Sequence, residues 1–393
     1  MTNTNRPPFR GPALFSYGFR PFFLAASVFA IAAIVIWMLV LDGSLTIAGP
    51  FTPTDWHVHE MLFGYASAVI AGFLFTAIPN WTGRMPKRGW PLAILVALWI
   101  AGRLACAGLF GAGAVVVMLI DAGFLAAIVA MVVVEIVAGR NWRNLMVVVP
   151  VLLLFGANLL FHVEALNQGS ADIGRRLGLA VVIFLITLIG GRIIPSFTRN
   201  WLVKRDPAHL PAPASRFDAV CLVAGAIALL TWSFHPEGPA AGAVLLIAAV
   251  LHLTRLSRWQ GARTGPSPLL LMLHVAYGFV PFGLAADAAA SVGLLPVAVG
   301  VHLLGIGAIG GMTIAVMMRA SLGHTGNALV AGPVLTAAAA MVFLAALIRV
   351  CFPDISFAGL TGLWIAALLW AAGFALFLVR IGPYLARTSR KPT

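Results

Sequence analysis

The feature that most constrains this chain is a succession of long apolar runs. A spanning helix needs about 20 apolar residues. Runs of that size recur at approximately 20–41, 57–79, 91–110, 113–138, 144–166, 175–194, 216–234, 239–256, 268–287, 295–318, 329–351 and 358–381. Only 9% of residues are charged and the mean hydropathy is +1.00, whereas a soluble domain is about 25% charged. In lipid every backbone polar group must be satisfied internally, so helices and closed barrels alone can span. Barrel strands would alternate in polarity, and these runs do not. The expected fold is all-α: a polytopic membrane protein of twelve transmembrane helices, forming one integral membrane domain over residues 1–393.

The formal charge of +13 invites a nucleic-acid reading. That reading fails because the basic residues sit in short loops between apolar runs, which is the topology signal of a membrane protein. With the N-terminus cytoplasmic, all but Arg103, Arg175, Arg176 and Arg349 of the 25 Lys and Arg residues fall on the cytoplasmic side. Both termini are then cytoplasmic, and the helix count is even. The stretch 195–215 is the longest cytoplasmic loop and divides the helices six and six. The first apolar run ends in Asp42-Gly43 rather than at a small-residue cleavage site, so it reads as a retained helix. Cys106, Cys221 and Cys351 lie in apolar runs with no Cys-x-x-Cys pair. They read as small buried residues, and neither c-type haem attachment nor a zinc knuckle is indicated.

The chain also echoes itself. The segment from Tyr17 to Ala26 (YGFRPFFLAA) recurs from Tyr277 to Ala286 (YGFVPFGLAA). Each copy is followed by a helix with a histidine near its start, His59 or His302. Each of those helices leads to Thr-Gly at equal distance, Thr82-Gly83 and Thr325-Gly326. A fainter echo sets Ile194 to Thr198 against Ile78 to Thr82, and that alignment places Arg175 where His59 and His302 stand. The pattern implies three parallel repeats of four helices, over 14–140, 141–260 and 266–387, a logic known in other membrane folds.

Ionisable residues inside a membrane are scarce and mark functional sites. The segment from Trp56 to Met61 (WHVHEM) brings two histidines and a glutamate together at the start of an apolar run. On a regular helix His57 and Glu60 share a face, while His59 points about 200° away from His57. Two neighbouring sites, or one site with a supporting contact, fit better than a single chelate. Topology places His57, His59, His162 and His302 in the outer half, where they can converge on a metal; imidazole suits copper and iron. His274 lies nearer the inner side and is a further cofactor candidate. Glu60 is placed to relay protons or to orient a ligand, against the plainer role of an acid at a helix start. Small residues follow His59 (Gly64, Ala68, Gly72) and His302 (Gly305, Gly307, Gly310, Gly311). Such ridges mark tight helix packing more often than a cofactor slot, though a flat macrocycle on an axial histidine needs the same clearance.

Taken together, these motifs resemble the NnrS family of haem- and copper-containing membrane proteins of the nitric-oxide response. The resemblance rests on Tyr17 to Phe23, on Trp56 to Tyr65, on Pro79 to Arg84 and on His302 through Arg319 to Gly326. It spans nearly the whole chain. One departure is Asn327, where the family often has an arginine after His-Thr-Gly. The resemblance implies twelve helices, haem b and copper, and a part in nitrosative stress in the inner membrane of denitrifying and other bacteria. The threefold plan is similar to that of haem-copper oxidases and nitric-oxide reductases. The expected function is reductive detoxification of nitric oxide, an oxidoreductase activity. Its cofactor-binding residues would be His57, His59, His274 and His302, its metal ligands His57, His59, His162 and His302, and its catalytic proton relay Glu60. Nitric oxide and membrane lipids are the expected partners, with electrons from quinol or a redox protein. The alternatives are a non-catalytic nitric-oxide sensor or binding protein, and a transporter of a metal–nitrosyl species.

Overall fold

The computed structural model describes residues 9–140, 142 and 145–388. Twelve long helices follow one another: α1 Phe19–Leu41, α2 Pro53–Thr82, α3 Trp90–Cys106, α4 Ala114–Ala138, α5 Leu145–Gln168 and α6 Asp172–Leu202. The second half holds α7 Arg216–Phe234, α8 Pro239–Ser257, α9 Pro268–Ser291, α10 Val297–His324, α11 Gly332–Cys351 and α12 Gly362–Ala386. Eleven of them are long and apolar enough to cross a bilayer. The exception, α3, has 17 residues and reaches roughly 26 Å at 1.5 Å per residue. The chain is a multi-pass α-helical membrane protein. The only strands among the described residues are a short hairpin pairing Ser356–Phe357 with Leu360–Thr361 before α12.

Each helix packs on the next, and α12 returns to α1, closing a ring. Helices α2, α6 and α9 are the most buried, and α10 packs with α1 and α6. Across the interior, the Tyr65 hydroxyl of α2 meets the Thr313 hydroxyl of α10 at 2.5 Å. One end of the bundle holds the starts of α2 and α10 and is called the histidine end below. The opposite end is called the arginine end.

Sequence boundaries and observed boundaries differ for physical reasons. Helix α2 begins at Pro53, not at 57, because Thr52 caps it by accepting from the Asp55 amide and Pro53 fills the first turn. Helix α6 runs through Pro195 to Leu202, well past its expected end at 194. A proline costs less in a membrane helix because neighbouring groups re-satisfy the freed carbonyl. The connector between the halves therefore begins at 203 rather than 195.

Two helices change pitch. In α2 the α-helix of Pro53–His59 passes into a π-helical segment over Glu60–Ala66. In α10 the same change occurs over Leu303–Gly310, again directly after a histidine, His302. Such bulges are rare and gather at functional sites.

Arg20 is buried on α1, and its Nη1 donates to the carbonyls of Tyr384 and Leu385 at 3.0 Å and of Arg387 at 2.5 Å. It caps the last turn of α12, whose carbonyls lack helical partners. Arg20→Ala is expected to cost about 2–3 kcal/mol, since hydrogen bonds to a charged donor are lost and acceptors are stranded. Thermal unfolding in detergent would read this as a lowered midpoint, partly restored by Arg20→Lys.

Candidate functional site

The site is assembled at the histidine end from four helices. His59 comes from α2, Cys106 from the last turn of α3, Asp121 from two turns inside α4, and His162 from α5. All four are buried, and one ligand atom from each lies within 4.8 Å of the others. His59 Nε2 is 3.2 Å and His162 Nε2 3.1 Å from the same oxygen, Asp121 Oδ2. The two imidazoles stand nearly edge to face, centroids 5.1 Å apart.

A surrounding layer holds these groups in place. His59 Nδ1 meets Glu60 Oε1 at 3.0 Å, the carboxylate–imidazole pairing that fixes the tautomer and leaves Nε2 as the ligating atom. Asn158 donates to Asp121 Oδ2 at 2.9 Å. Arg103 bridges the two acids: Nη1 donates to Glu60 Oε1 at 2.9 Å, and Nη2 donates to Asp121 Oδ1. Phe51 covers the group, its ring centroid 4.7 Å from that of His59 and 5.0 Å from that of His162. The segment carrying Phe51 packs backbone to backbone on the end of α3. A Cβ at Gly49 would stand 2.0 Å from the Cys106 carbonyl, and Gly108 at φ +81 would meet Ala48. Glycine at both positions is what lets this segment close over the cluster.

Glu60 thus serves its chain neighbour His59, not His57, with which regular helix geometry pairs it. The change to π-helical pitch begins at Glu60, and Arg103 holds its carboxylate on the His59 side. The 200° divergence of His57 and His59 does hold, because both lie in the regular first turns of α2. His57 turns the other way and stacks on Trp37, centroids 4.6 Å apart at 13°. It lies within electrostatic reach of His302 and Arg349. His302 Nδ1 donates to the Ala298 carbonyl at 2.7 Å, which leaves Nε2 for a ligand. The four histidines of the histidine end therefore fall into two groups, His59 with His162 and His57 near His302.

His274 stands elsewhere, in the arginine half. Its Nε2 is 2.9 Å from the Thr198 hydroxyl, and Nδ1 faces Gly261. It borders an apolar groove of about 660 Å³ with Phe279, Phe282 and Leu303. The contact with Thr198 leaves Nδ1, which is buried without a hydrogen-bond partner, as the ring's free nitrogen. The small-residue ridges are filled by packing: Gly64 receives Arg103 and Phe29, Gly72 receives the Phe23 ring, and Gly307 receives Phe279. Arg175, aligned with the two histidines, pairs with Asp172 and stands 3.9 Å from Asp55. Glu164 caps α6 through the amides of Ile173 and Gly174.

Asp121, Cys106, Arg103 and Asn158 escaped the sequence reading. A signal was present: Arg103 and Asp121 are opposite charges inside adjacent apolar runs, and such residues pair in the bundle interior. Arg103 breaks the loop-charge pattern because it is a buried counter-ion and no topology signal.

The donor set fits a metal ion. His59 Nε2 is buried and lacks a hydrogen bond of good geometry despite its nearness to Asp121, as expected of a ring nitrogen aimed at a shared centre. Two carboxylates, Glu60 and Asp121, share one guanidinium, Arg103, so the cluster has one formal negative charge more than its cations cover. A divalent ion that displaces the Cys106 proton would bring it to zero, the condition that makes buried charge affordable. Imidazole and thiolate suit copper or zinc. The second pair, His57 and His302, offers unpaired ring nitrogens (Nδ1 of His57, Nε2 of His302) but no carboxylate ligand.

Gly64→Ala would place a methyl 2.4 Å from Arg103 Nη1 and 2.9 Å from Phe29. The expected result is a loss of about 1–3 kcal/mol from overpacking, with weaker metal retention because Arg103 must move. Unfolding midpoint and metal content of the same preparation check both.

Fold and site together define a multi-pass helical membrane protein with a buried cluster of metal-ligand side chains at one end. Compared with protein-family models, the chain matches the family described as NnrS protein over residues 13–389. The chain belongs to the NnrS family. None of the curated proteins matches it.

Proposed function

We propose that this protein is a haem- and copper-containing oxidoreductase of the bacterial inner membrane that removes nitric oxide by reducing it. The single observation that supports the reading best is the convergence of His59, His162, Asp121 and Cys106 in a buried pocket with its counter-charges in place. Copper would be held by those four residues, and haem b by His302 or His57 once the Phe279, Phe343 and Trp370 rings that fill the glycine ridge after His302 move aside. When bound, these groups supply electrons and stabilise the charge that develops as two nitric oxide molecules are coupled. The chain's own residues do the rest. Glu60 orients His59, and its Oε2, buried without a partner, is the atom at which a proton is held. Arg103 keeps both carboxylates in register, and Phe51 and Phe161 exclude water from the imidazoles.

The proposal includes cytoplasmic termini, which put the histidine end on the outer face, and electrons delivered by quinol or a separate redox protein. It also includes three four-helix units, with α2, α6 and α10 as their equivalent inner helices. The matching π-helical segments after His59 and His302 support that arrangement.

The test is nitric oxide consumption by purified protein in liposomes supplied with a reduced quinol analogue. Wild type is expected to consume nitric oxide only when reductant is present, and His59→Ala and His302→Ala to fall at least about tenfold, as loss of a metal-site residue typically does. Binding of nitric oxide to haem without consumption would replace this reading with a sensor. Counterflow of a metal–nitrosyl species would replace it with a transporter.

A further inference from the structure

At the arginine end a chamber of about 930 Å³ opens among the inner helices, a size typical of small-molecule sites. Its polar lining comes from three helices: Thr76, Asn80 and Trp81 from α2, Arg192 from α6, Arg319 and His324 from α10. The alignment that sets His302 on His59 also sets Arg319 on Thr76, which lines the same chamber. The alignment that sets Thr198 on Thr82 puts Arg192 at that position too. The two guanidiniums thus arise at matching depths on neighbouring helices.

No Asp or Glu lines the chamber. Among the described residues neither Arg192 nor Arg319 has a carboxylate partner. Two buried helix arginines do, Arg103 with Glu60 and Asp121 and Arg255 with Asp218, whereas Arg20 and Arg176 donate to backbone carbonyls. Arg319 instead lies 3.8 Å over the Phe197 ring, a contact that orients a guanidinium without neutralising it. A half-enclosed space with apolar walls, a half-buried guanidinium (Arg319) and an exposed one (Arg192) at its mouth suits an anion with an apolar body. Arginine presents a planar fork that matches oxyanions.

We propose that this chamber binds a phosphate-type oxyanion, carried either by a lipid headgroup or by a soluble molecule. The site lies at the end opposite the metal cluster and does not depend on the function assigned to that cluster.

Titration calorimetry on the full chain in neutral detergent tests it, with two probes. One is inorganic phosphate. The other is dihexanoyl phosphatidylglycerol, with dihexanoyl phosphatidylcholine as its control. Saturable binding of phosphate identifies a soluble anion, and binding of phosphatidylglycerol alone identifies a headgroup. In either case Arg192→Gln/Arg319→Gln is expected to weaken binding at least about tenfold, and Arg192→Lys/Arg319→Lys by only about threefold, since lysine keeps the charge and loses the fork. Size-exclusion profile and unfolding midpoint confirm that each variant is folded; a variant that fails is replaced by the corresponding single substitutions. Absence of saturable binding by both probes, or equal binding in the double Gln variant, would overturn the proposal and leave the arginines as solvated anchors at the membrane interface.

Discussion

Arg103→Ala is expected to destabilise the protein by about 3–5 kcal/mol, the range for breaking one partner out of a buried ion pair. The cost has a specific origin. Arg103 is buried, and its two terminal nitrogens each meet a different buried carboxylate, Glu60 on α2 and Asp121 on α4. Without it, two negative charges remain in a region that water does not reach. Their repulsion acts on the helices that carry the metal ligands. Asp121→Ala alone should cost a similar amount, because Arg103 then keeps only Glu60, and Asn158 and His162 lose their acceptor. The double variant Arg103→Ala/Asp121→Ala should cost clearly less than the sum, since each change removes the charge that the other strands. Unfolding of detergent-solubilised protein in increasing denaturant measures the cycle. A loss below about 1 kcal/mol for Arg103→Ala would class the pair with solvated surface bridges and contradict the account.

The helical plan was open to reading because lipid imposes it: apolar runs near 20 residues have few other uses. Twelve transmembrane helices are expected; the described residues form twelve long helices, eleven of them long and apolar enough to cross a bilayer. What failed at the boundaries was local chemistry. Thr52 and Pro53 announced an earlier start for α2, and Pro195 did not stop α6 because membrane helices tolerate proline. Within the site, His59 and His162 could be chosen from residue type and depth, as could the divergence of His57 from His59. Their division into two groups could not, since it depends on which way α5 and α10 face around a closed ring. Cys106 is buried, as a cysteine in an apolar run suggests; its nearness to His59, Asp121 and His162 leaves no sign in residue spacing. Asp121 and Arg103 carry the clear flag, opposite charges inside adjacent apolar runs. Glu60 was assigned to the wrong histidine because a change of helical pitch is not visible in residue spacing.

The second large effect concerns the metal itself. His59 Nε2, His162 Nε2, Asp121 and the Cys106 thiol stand close enough to offer a metal four donors from four separate helices. Loss of one strong ligand should therefore remove most of the bound ion, whereas loss of a supporting group typically weakens affinity about 10–100-fold. His59→Ala and Cys106→Ser fall in the first class, and Glu60→Gln in the second. His57→Ala faces away, toward Trp37 and His302, and should leave this ion in place. Because the ligands must shed protons to bind, retention should also weaken as pH falls.

Metal content of the purified protein, measured by inductively coupled plasma mass spectrometry against protein concentration, tests the central claim most directly. The account expects about one copper per wild-type chain, little in His59→Ala/His162→Ala, and a normal amount in His57→Ala, each preparation being monodisperse. Wild-type protein free of any transition metal after copper loading, or an unchanged copper content in the double variant, would contradict it.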